Sequence, residues 1–284
     1  MCRWLAYSGA PIVLEEVLYG GTNSLVDQSL HSRLGAEPTN GDGFGVGWYG
    51  AANNPGVFHS IEPAWNDQDL REIAGHISSP LFFMHIRAAI GSAVQQTNCH
   101  PFRHDRWLFM HNGYLNEFAT IKRDLVLAVD PSLYPHIQGQ ADTEVLFYLA
   151  LSFGLEDDPP SAIEQAVGLV EAVAERHDVP HPFQGTIATA DGESVWAFRY
   201  SSEMNSRSLF YTTDVPTLRE LYPERTDLHG FSDDARLIVS EPLGDVAGVW
   251  NEVPESTYGI VSPDHAEMRP FKPKAPSISV AVGA

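Results

Sequence analysis

Cysteine, basic residues and long apolar runs are all scarce in this sequence. Two cysteines in 284 residues cannot build a disulfide framework, so we expect a reducing compartment, the cytoplasm. Lysine and arginine number 17 against 37 acidic residues, and the formal charge of −20 argues against partners such as nucleic acid or an anionic membrane. No run approaches the roughly 18 apolar residues of a membrane span, and the N-terminus has no secretory leader pattern.

Motifs for metal and serine chemistry are also missing. Four histidines lie close together in the chain (His85, His100, His104 and His111), but neither H-E-x-x-H nor C-x-x-C occurs. We interpret them as histidines that hydrogen-bond the ends of strands, and a metal hydrolase remains the third alternative. The G-x-S-x-G pattern of a serine nucleophile is absent. We therefore expect neither a metal nor an organic cofactor.

One glycine motif is present but lacks its structural context. Gly45 to Gly50 matches G-x-G-x-x-G, the dinucleotide-binding pattern, yet the loop "AANNPG" follows it. Pyrophosphate binding needs a helix N-terminus at that point. We interpret these glycines as positions where a strand passes close to another segment.

Hydrophobic periodicity predicts strands, then a central block of helices, then strands again. Alternation favours strands in "CRWLAYS", "LFFMHIRAAIG" and "RWLFMHNG", and "NSLVDQSL" is a helix capped by Asn23 or Ser24. Apolar spacing of three and four predicts helices from about residue 116 to residue 177. Further strands follow from about residue 184, with a hairpin around Asp191-Gly192. This order predicts an α+β fold in one domain, residues 2–268, with a loosely held tail at 269–284.

Cys2 has a position that suits catalysis. Methionine is removed efficiently before a small residue, so the mature chain would begin with this cysteine. Its α-amine, with an ordinary pKa of about 7.7–8.0, could then act as a general base for its own thiol. The alternative is a small buried side chain in an edge strand, the usual fate of a free cysteine.

Three further motifs could complete such a site. Asn112 and Gly113 end an apolar strand and could donate to an oxyanion, although Asn-Gly is also typical of a hairpin turn. Arg87 lies among apolar residues and could bind a carboxylate, or form an internal salt bridge. Asp142 opens a helix, where it could bind an ammonium group or serve only as a cap.

These pieces occur in an order that resembles a known family. The "MCR" start, "NGDGFGVGWY", "HIRAAIG" followed by "NCHPF", "HNG" and "ADTE" are similar to motifs of the class II glutamine amidotransferases, whose glutaminase domain belongs to the N-terminal nucleophile (Ntn) hydrolases. The resemblance implies a four-layer αββα sandwich of two antiparallel sheets. It also implies that Cys2 is the nucleophile, Asn112 and Gly113 form the oxyanion hole, Arg87 binds the α-carboxylate and Asp142 binds the α-ammonium of a glutamyl group.

The resemblance leaves the reaction's leaving group open. Nothing follows the glutaminase unit except a short tail, so we expect an ammonia acceptor on a separate partner subunit, or simple hydrolysis of a γ-glutamyl amide. Our main hypothesis is glutamine hydrolysis to glutamate and ammonia, with a γ-glutamyl thiol compound of a glutathione or ergothioneine pathway as the alternative. A catalytically silent subunit that only binds a glutamyl ligand is the remaining hypothesis.

Overall fold

Two β-sheets form the centre of the molecule, and the side chains along their strands point alternately to apolar layers on the two faces of each sheet. The computed structural model describes residues 2–34, 39–89, 92–262 and 265–276. One antiparallel sheet contains β1 (Arg3–Val13), β2 (Phe44–Trp48), β3 (Gly56–Ser60), β4 (Ser78–Ile86), β9 (Phe210–Thr212), β10 (Arg236–Val239) and β11 (Trp250–Glu252). Their order across this sheet is β11-β9-β10-β1-β4-β2-β3.

The second sheet is also antiparallel and takes its strands mainly from the second half of the chain. It contains β5 (Phe102–His104), β6 (Trp107–Leu115), β7 (Phe183–Ala190), β8 (Val195–Ser201), β12 (Thr257–Ser262) and β13 (His265–Pro270). Their order is β13-β12-β8-β7-β6-β5.

Helices cover the outer face of each sheet. Those packed on the first sheet are α1 (Glu15–Leu18), α2 (Leu25–Leu30), α3 (Gln68–His76) and α7 (Val215–Leu221). Those packed on the second sheet are α4 (Phe118–Leu127), α5 (Asp142–Ser152) and α6 (Pro159–Arg176). The result is the predicted αββα sandwich, and the segregation of helices to the outer layers is confirmed.

Side-chain alternation divides the apolar residues among three core layers. On β1, Leu5 and Tyr7 face the helices of the first sheet, whereas Trp4 and Ala6 face the second sheet. Small residues such as Ala188 line the layer between the sheets. The two sheets are also joined by a hydrogen bond, because the Trp4 indole Nε1 donates to Thr186 Oγ1 on β7 over 3.0 Å.

Several local predictions agree with the structure. Ser24 is the N-cap of α2 and forms a capping box with Asp27. The hairpin between β7 and β8 turns at Gly192, which has φ of +98°.

The glycine motif is explained by close packing. A Cβ on Gly45 would lie 2.2 Å from the carbonyl oxygen of His100, and one on Gly47 would lie 2.8 Å from Pro101. The strand β2 ends at Trp48 and is followed by a loop, so no helix N-terminus is present for pyrophosphate. The interpretation of a strand passing close to another segment is therefore correct.

The chain departs from prediction at the two ends of the domain. The first strand extends beyond the predicted "CRWLAYS" and continues, after a register shift, to Val13. At the other end the predicted boundary after residue 268 falls inside β13, and Phe271 is buried against Phe198 and Tyr200. The expectation of a loose tail from residue 269 is thus wrong as far as residue 274, whose backbone N–H bonds to Glu164 on α6. Residues 277–284 lie outside the described part.

Candidate active site

One cleft at the edge where both sheets end brings together all the residues predicted from the sequence. Its lining consists of Cys2, Arg87, Ala88, Ser92, His100, His111, Asn112, Gly113, Tyr114, Ala141, Asp142, Thr143 and Arg207. Cys2 and Arg87 are supplied by the ends of β1 and β4 in one sheet. Asn112 and Gly113 come from β6 in the other sheet, and Asp142 comes from the start of α5. The cleft therefore depends on the alignment of three of the four layers.

The Cys2 thiol is held against the chain that follows β4. Its Sγ lies 3.4 Å from the backbone N–H of Ala88, which donates to it, and 3.6 Å from the carbonyl oxygen of the same residue. Burial raises the pKa of the thiol, and this is opposed by the Ala88 N–H and by the charge of Arg87. The sulfur is therefore mainly a neutral thiol at pH 7, and a nucleophilic role would require a base.

A buried ion pair holds the backbone beside this thiol. Arg3 Nε contacts Glu241 Oε2 at 3.0 Å, and both side chains are buried. Arg3 Nη1 donates to the carbonyl oxygen of Cys2 at 2.9 Å, and Nη2 donates to the Ser32 hydroxyl. Burial alone would raise the pKa of Glu241, but bonds from the backbone N–H of Leu34 and from Arg3 bring it below its usual value. The carboxylate is therefore ionised, and the pair fixes where the first residues lie.

Arg87 is buried in the cleft, and none of the described carboxylates forms an ion pair with it. Its Nη2 donates to the hydroxyl of Ser92 at 2.6 Å, and more weakly to the carbonyl oxygen of that residue at 3.4 Å. Its Nη1 is buried and has no hydrogen-bond partner among the described residues. The internal salt bridge considered for Arg87 does not form in this part of the chain. A buried guanidinium left in this state is complementary to a bound anion.

Asn112 and Gly113 lie within a strand rather than in a turn. Both belong to β6, which continues to Leu115 and pairs with β7 through Gly113 and Gly185. A Cβ on Gly113 would lie 1.9 Å from the carbonyl oxygen of Gln184, so no other residue fits. The hairpin alternative is therefore wrong, and the missing side chain leaves the backbone open to the cleft.

Asp142 is the first residue of α5, but it is not the helix cap. The N-cap is Ala141, and Asp142 instead uses Oδ2 to accept the backbone N–H of Leu115 on β6 at 2.8 Å. Its Oδ1 accepts the backbone N–H of Thr143 at 2.7 Å. These bonds aim a carboxylate into the cleft and join the helix layer to the strand that carries Asn112.

Three of the four neighbouring histidines form a neutral cluster, and two of them, His100 and His111, line the cleft. His85 Nε2 lies 3.2 Å from the carbonyl oxygen of His111, and the rings of His85 and His100 are 4.1 Å apart. Burial lowers the pKa of His85 to about 3 and also lowers those of His100 and His111. His104 lies apart, against His136 and Tyr148. His85 and His100 bond to the backbone of His111 in the middle of β6 rather than at a strand end. The described residues contain no group of three or more His, Cys, Asp or Glu placed to bind a metal.

Sequence reasoning missed four residues at this site. They are Arg3, Glu241, Ser92 and Arg207. Arg3 was quoted only as part of "MCR", and its partner is 238 positions away, so no local pattern could reveal the pair. Residues 90–91 of the "HIRAAIG" motif lie outside the described part.

Comparison with known proteins now decides the family. A family model described as glutamine amidotransferases class-II matches residues 22–255, well over half of the chain. The chain belongs to the class II glutamine amidotransferases. The probable glutamine amidotransferase DUG3 of Saccharomyces cerevisiae is 32% identical over 290 residues, covering 90% of this chain and 80% of that protein. This confirms the resemblance drawn from the motifs and identifies the chain as a member of an enzyme family.

A second relative of this amidotransferase is named for a different activity. The γ-glutamyl-hercynylcysteine sulfoxide hydrolase of Mycolicibacterium smegmatis is 29% identical over 273 residues, covering 95% of this chain and all of that protein. Both the main hypothesis and its alternative thus have a relative.

Solved structures confirm the fold of this family member. A class-II domain protein from Silicibacter pomeroyi is 31% identical, with a TM-score of 0.71 over 96% of this chain and 100% of that chain. The glutamine phosphoribosylpyrophosphate amidotransferase from B. subtilis is 14% identical, with a TM-score of 0.64 over 95% of this chain and 49% of that chain, and this likeness concerns the fold alone. Of the helices in the described ranges, none has the length and apolar character to cross a bilayer.

Proposed function

We propose that this protein hydrolyses the amide of a γ-glutamyl compound, glutamine in the first instance, with Cys2 as the nucleophile. The observation that carries the proposal is that Cys2, Arg87, Asn112, Gly113 and Asp142 line one cleft. Each type of group that an acyl transfer from a glutamyl donor requires is present there: a nucleophile, oxyanion donors, a cation for the α-carboxylate and an anion for the α-ammonium.

The reaction proceeds in two halves. The Cys2 Sγ attacks the γ-carbonyl carbon, the C–N bond breaks, and the amine leaves with a proton while a glutamyl thioester remains on the sulfur. Water then attacks the thioester, releasing glutamate and restoring the thiol. The side-chain amide of Asn112 and the backbone N–H of Gly113 donate to the negative oxygen of both tetrahedral intermediates.

The base for these steps is the α-amine of Cys2 after removal of Met1. Burial raises the pKa of the thiol, so a base is needed at neutral pH. An α-amine has an ordinary pKa of about 7.7–8.0, close to the pH at which it must accept a proton. While Met1 remains, this nitrogen is an amide and cannot act.

Opposite charges in the cleft bind the two ends of the glutamyl zwitterion. The buried Nη1 of Arg87 has no partner in the described part of the chain and receives the α-carboxylate. The Asp142 carboxylate, anchored by Leu115 and Thr143, receives the α-ammonium. Because glutamine and other γ-glutamyl amides share this end, both Arg87 and Asp142 serve either substrate.

The leaving group follows from the relatives rather than from the glutamyl end. We assign ammonia from glutamine as the main case, with an acceptor on a separate partner subunit in the cytoplasm. The relative named as a γ-glutamyl-hercynylcysteine sulfoxide hydrolase supports a γ-glutamyl thiol derivative as the second candidate.

The test compares Cys2 with the other cysteine of the chain. Intact-mass spectrometry first checks that Met1 is absent, and glutamate release is then measured with glutamine and with glutathione. We expect Cys2→Ala to be inactive and Asn112→Ala to lose about 10²–10³ in kcat. Cys99→Ala is the matched control, because Cys99 is buried and bonds to the carbonyl oxygens of Ser60 and Gln95.

The proposal has clear contrary outcomes. Full activity in Cys2→Ala, or in a protein that retains Met1, would contradict the mechanism. Binding of γ-glutamyl compounds without turnover by the processed wild type would identify a silent binding subunit instead.

A further inference from the structure

A second arginine lines the cleft, and none of the described residues gives it an anionic partner. Arg207 lies in the connection between β8 and β9, and its side chain borders the same cleft as Cys2 and Arg87. Within the described ranges it forms no ion pair, and its Nε is buried without a hydrogen-bond partner. A partly buried guanidinium in this state costs solvation energy that the fold does not recover.

Side-chain hydrogen bonds hold the residues on both sides of Arg207. The hydroxyl of Ser206 donates to Glu255 Oε2 at 2.5 Å, and the hydroxyl of Ser208 donates to the carbonyl oxygen of Ser240 at 2.8 Å. These bonds hold the residue in place at the cleft, although its own side chain contributes nothing to them. Its position is therefore prepared in advance, as binding sites generally are.

The two charged groups of a glutamyl substrate need only one arginine and one carboxylate, so Arg207 is not required to bind them. The α-carboxylate and α-ammonium of a glutamyl group are matched by one cation and one anion, Arg87 and Asp142. Burial lowers the pKa of Arg207, and the groups that oppose this are Tyr114 and Cys2 rather than a carboxylate. Arg87 and Arg207 both line the cleft beside Cys2, so a glutamyl group bound through Arg87 leaves the second guanidinium for another part of the substrate.

We infer that Arg207 is a specificity residue that binds an anionic group carried by the leaving amine. This assignment rests on the proposed function. Beyond glutamine, the substrate class that Arg207 would select is a γ-glutamyl derivative of an amino acid, whose leaving group is an amine with its own carboxylate. Glutamine releases only ammonia and leaves Arg207 unpaired. A sulfonate offers the same charge and acceptor oxygens as a carboxylate, so the shared chemistry is an anion on the leaving side.

The experiment uses substrates that differ only on the leaving side. Glutamate release is measured with γ-glutamylglycine, γ-glutamyltaurine and the uncharged γ-glutamylglycinamide, in the Met-processed wild type and in Arg207→Gln. We expect the wild type to favour γ-glutamylglycine over γ-glutamylglycinamide in kcat/KM. In Arg207→Gln this ratio should fall by about 10-fold to 100-fold, the usual effect of losing a charge-assisted hydrogen bond.

Controls separate this role from general effects. Arg123→Gln, an exposed arginine on α4, should keep the wild-type ratio. Preference for γ-glutamyltaurine together with γ-glutamylglycine supports binding of either anion, whereas preference for γ-glutamylglycine alone supports a carboxylate site. An unchanged ratio in Arg207→Gln overturns the assignment. An equal loss for charged and uncharged substrates also overturns it, because Arg207 would then act on the glutamyl end or on the fold.

The inference and the proposed function can fail separately. If no γ-glutamyl amide is hydrolysed, the proposed function fails. Calorimetric titration of γ-glutamylglycine and γ-glutamylglycinamide into the wild type and Arg207→Gln then tests the assignment by binding alone. Weaker binding of γ-glutamylglycine only, in the variant, supports the role of Arg207, and equal binding of both ligands to both proteins overturns it.

Discussion

Arg3 and Arg87 occupy equivalent places in the fold but meet opposite electrostatic surroundings. Arg3 begins β1, and Arg87 directly follows β4, the strand that pairs with β1 through Arg3 and Ile86. Both are almost fully buried, with exposed fractions of 3% and 4%. Arg3 contacts the buried carboxylate of Glu241, whereas Arg87 contacts only Ser92 and leaves Nη1 without a partner in the described part of the chain.

The difference distinguishes Arg3, whose charge is neutralised inside the fold, from Arg87, which we propose binds a charged group of the substrate. The Arg3–Glu241 pair is formed within the protein, so its loss should lower the free energy of unfolding. Arg87 has no internal counter-ion among the described residues, so its loss should weaken substrate binding. Buried charge alone does not distinguish the two roles, but the presence or absence of an internal counter-ion does.

The largest expected effect comes from breaking the satisfied pair. Glu241→Ala leaves the Arg3 guanidinium buried and unpaired, and we expect the free energy of unfolding to fall by about 3–5 kcal/mol. Activity should fall as well, because Arg3 also holds the carbonyl oxygen of Cys2. Urea unfolding followed by fluorescence measures the first effect.

An apolar replacement of both partners provides the control for Glu241→Ala. The double variant Arg3→Met/Glu241→Leu should recover much of the lost stability, since no charge remains buried. A loss of less than about 1 kcal/mol in Glu241→Ala, a cost more typical of an exposed ion pair, would contradict the description of this pair.

The next effect concerns the unsatisfied arginine and falls on activity. Arg87→Gln removes the proposed partner of the α-carboxylate, and we expect kcat/KM for γ-glutamyl substrates to fall by about 10-fold to 100-fold. The free energy of unfolding should not fall, because the variant removes an uncompensated buried charge. Steady-state kinetics and urea unfolding, run on the same preparation, compare the two quantities. Destabilisation on the scale of Glu241→Ala, with unchanged kinetics, would reverse the comparison between the two arginines.

A third, smaller effect comes from the buried histidines, which are neutral in the folded protein. The folded-state pKa of His85 is about 3, because burial disfavours the imidazolium, against an ordinary value near 6.5. Between these values the unfolded chain binds a proton that the folded chain does not. Stability is therefore retained above pH 6.5 and lost as the pH falls below it, by about 2 kcal/mol at pH 5 for this residue alone.

Urea unfolding at pH 7 and pH 5 measures this dependence on pH. His85→Gln should reduce it, whereas His76→Gln, at an exposed histidine on α3, should leave it unchanged. Equal stability of the wild type at both pH values would show that the buried histidines are charged in the folded state.

Much of the fold could be predicted because its signals are local. The capping residue Ser24, the turn at Gly192 and the periodic helices α4 to α6 are each encoded within a few neighbouring residues. The short strand β11 has three residues, too few to establish alternation. The burial of Phe271 depends on strands β8 and β12, so the residues next to it in sequence do not predict it.

The residues of the site also differ in how far the sequence alone reveals them. Cys2, Arg87, Asn112, Gly113 and Asp142 stood out because each is unusual in its own neighbourhood, and they line one cleft in the structure. Their roles in catalysis and binding stay predictions. Arg207 and Glu241 look ordinary in sequence, and only their surroundings after folding distinguish them.

The hydrogen bond from Trp4 to Thr186 has a consequence for how accurately the reaction can be aligned. The proposed nucleophile, Cys2, and the proposed oxyanion donors, Asn112 and Gly113, belong to different sheets, and Thr186 is the cross-strand partner of Asn112. This bond therefore connects the two sheets two residues along the chain from Cys2 and directly across from Asn112. The relative position of the two proposed catalytic groups is thus set by a contact inside the sandwich, and not by the loops at its surface.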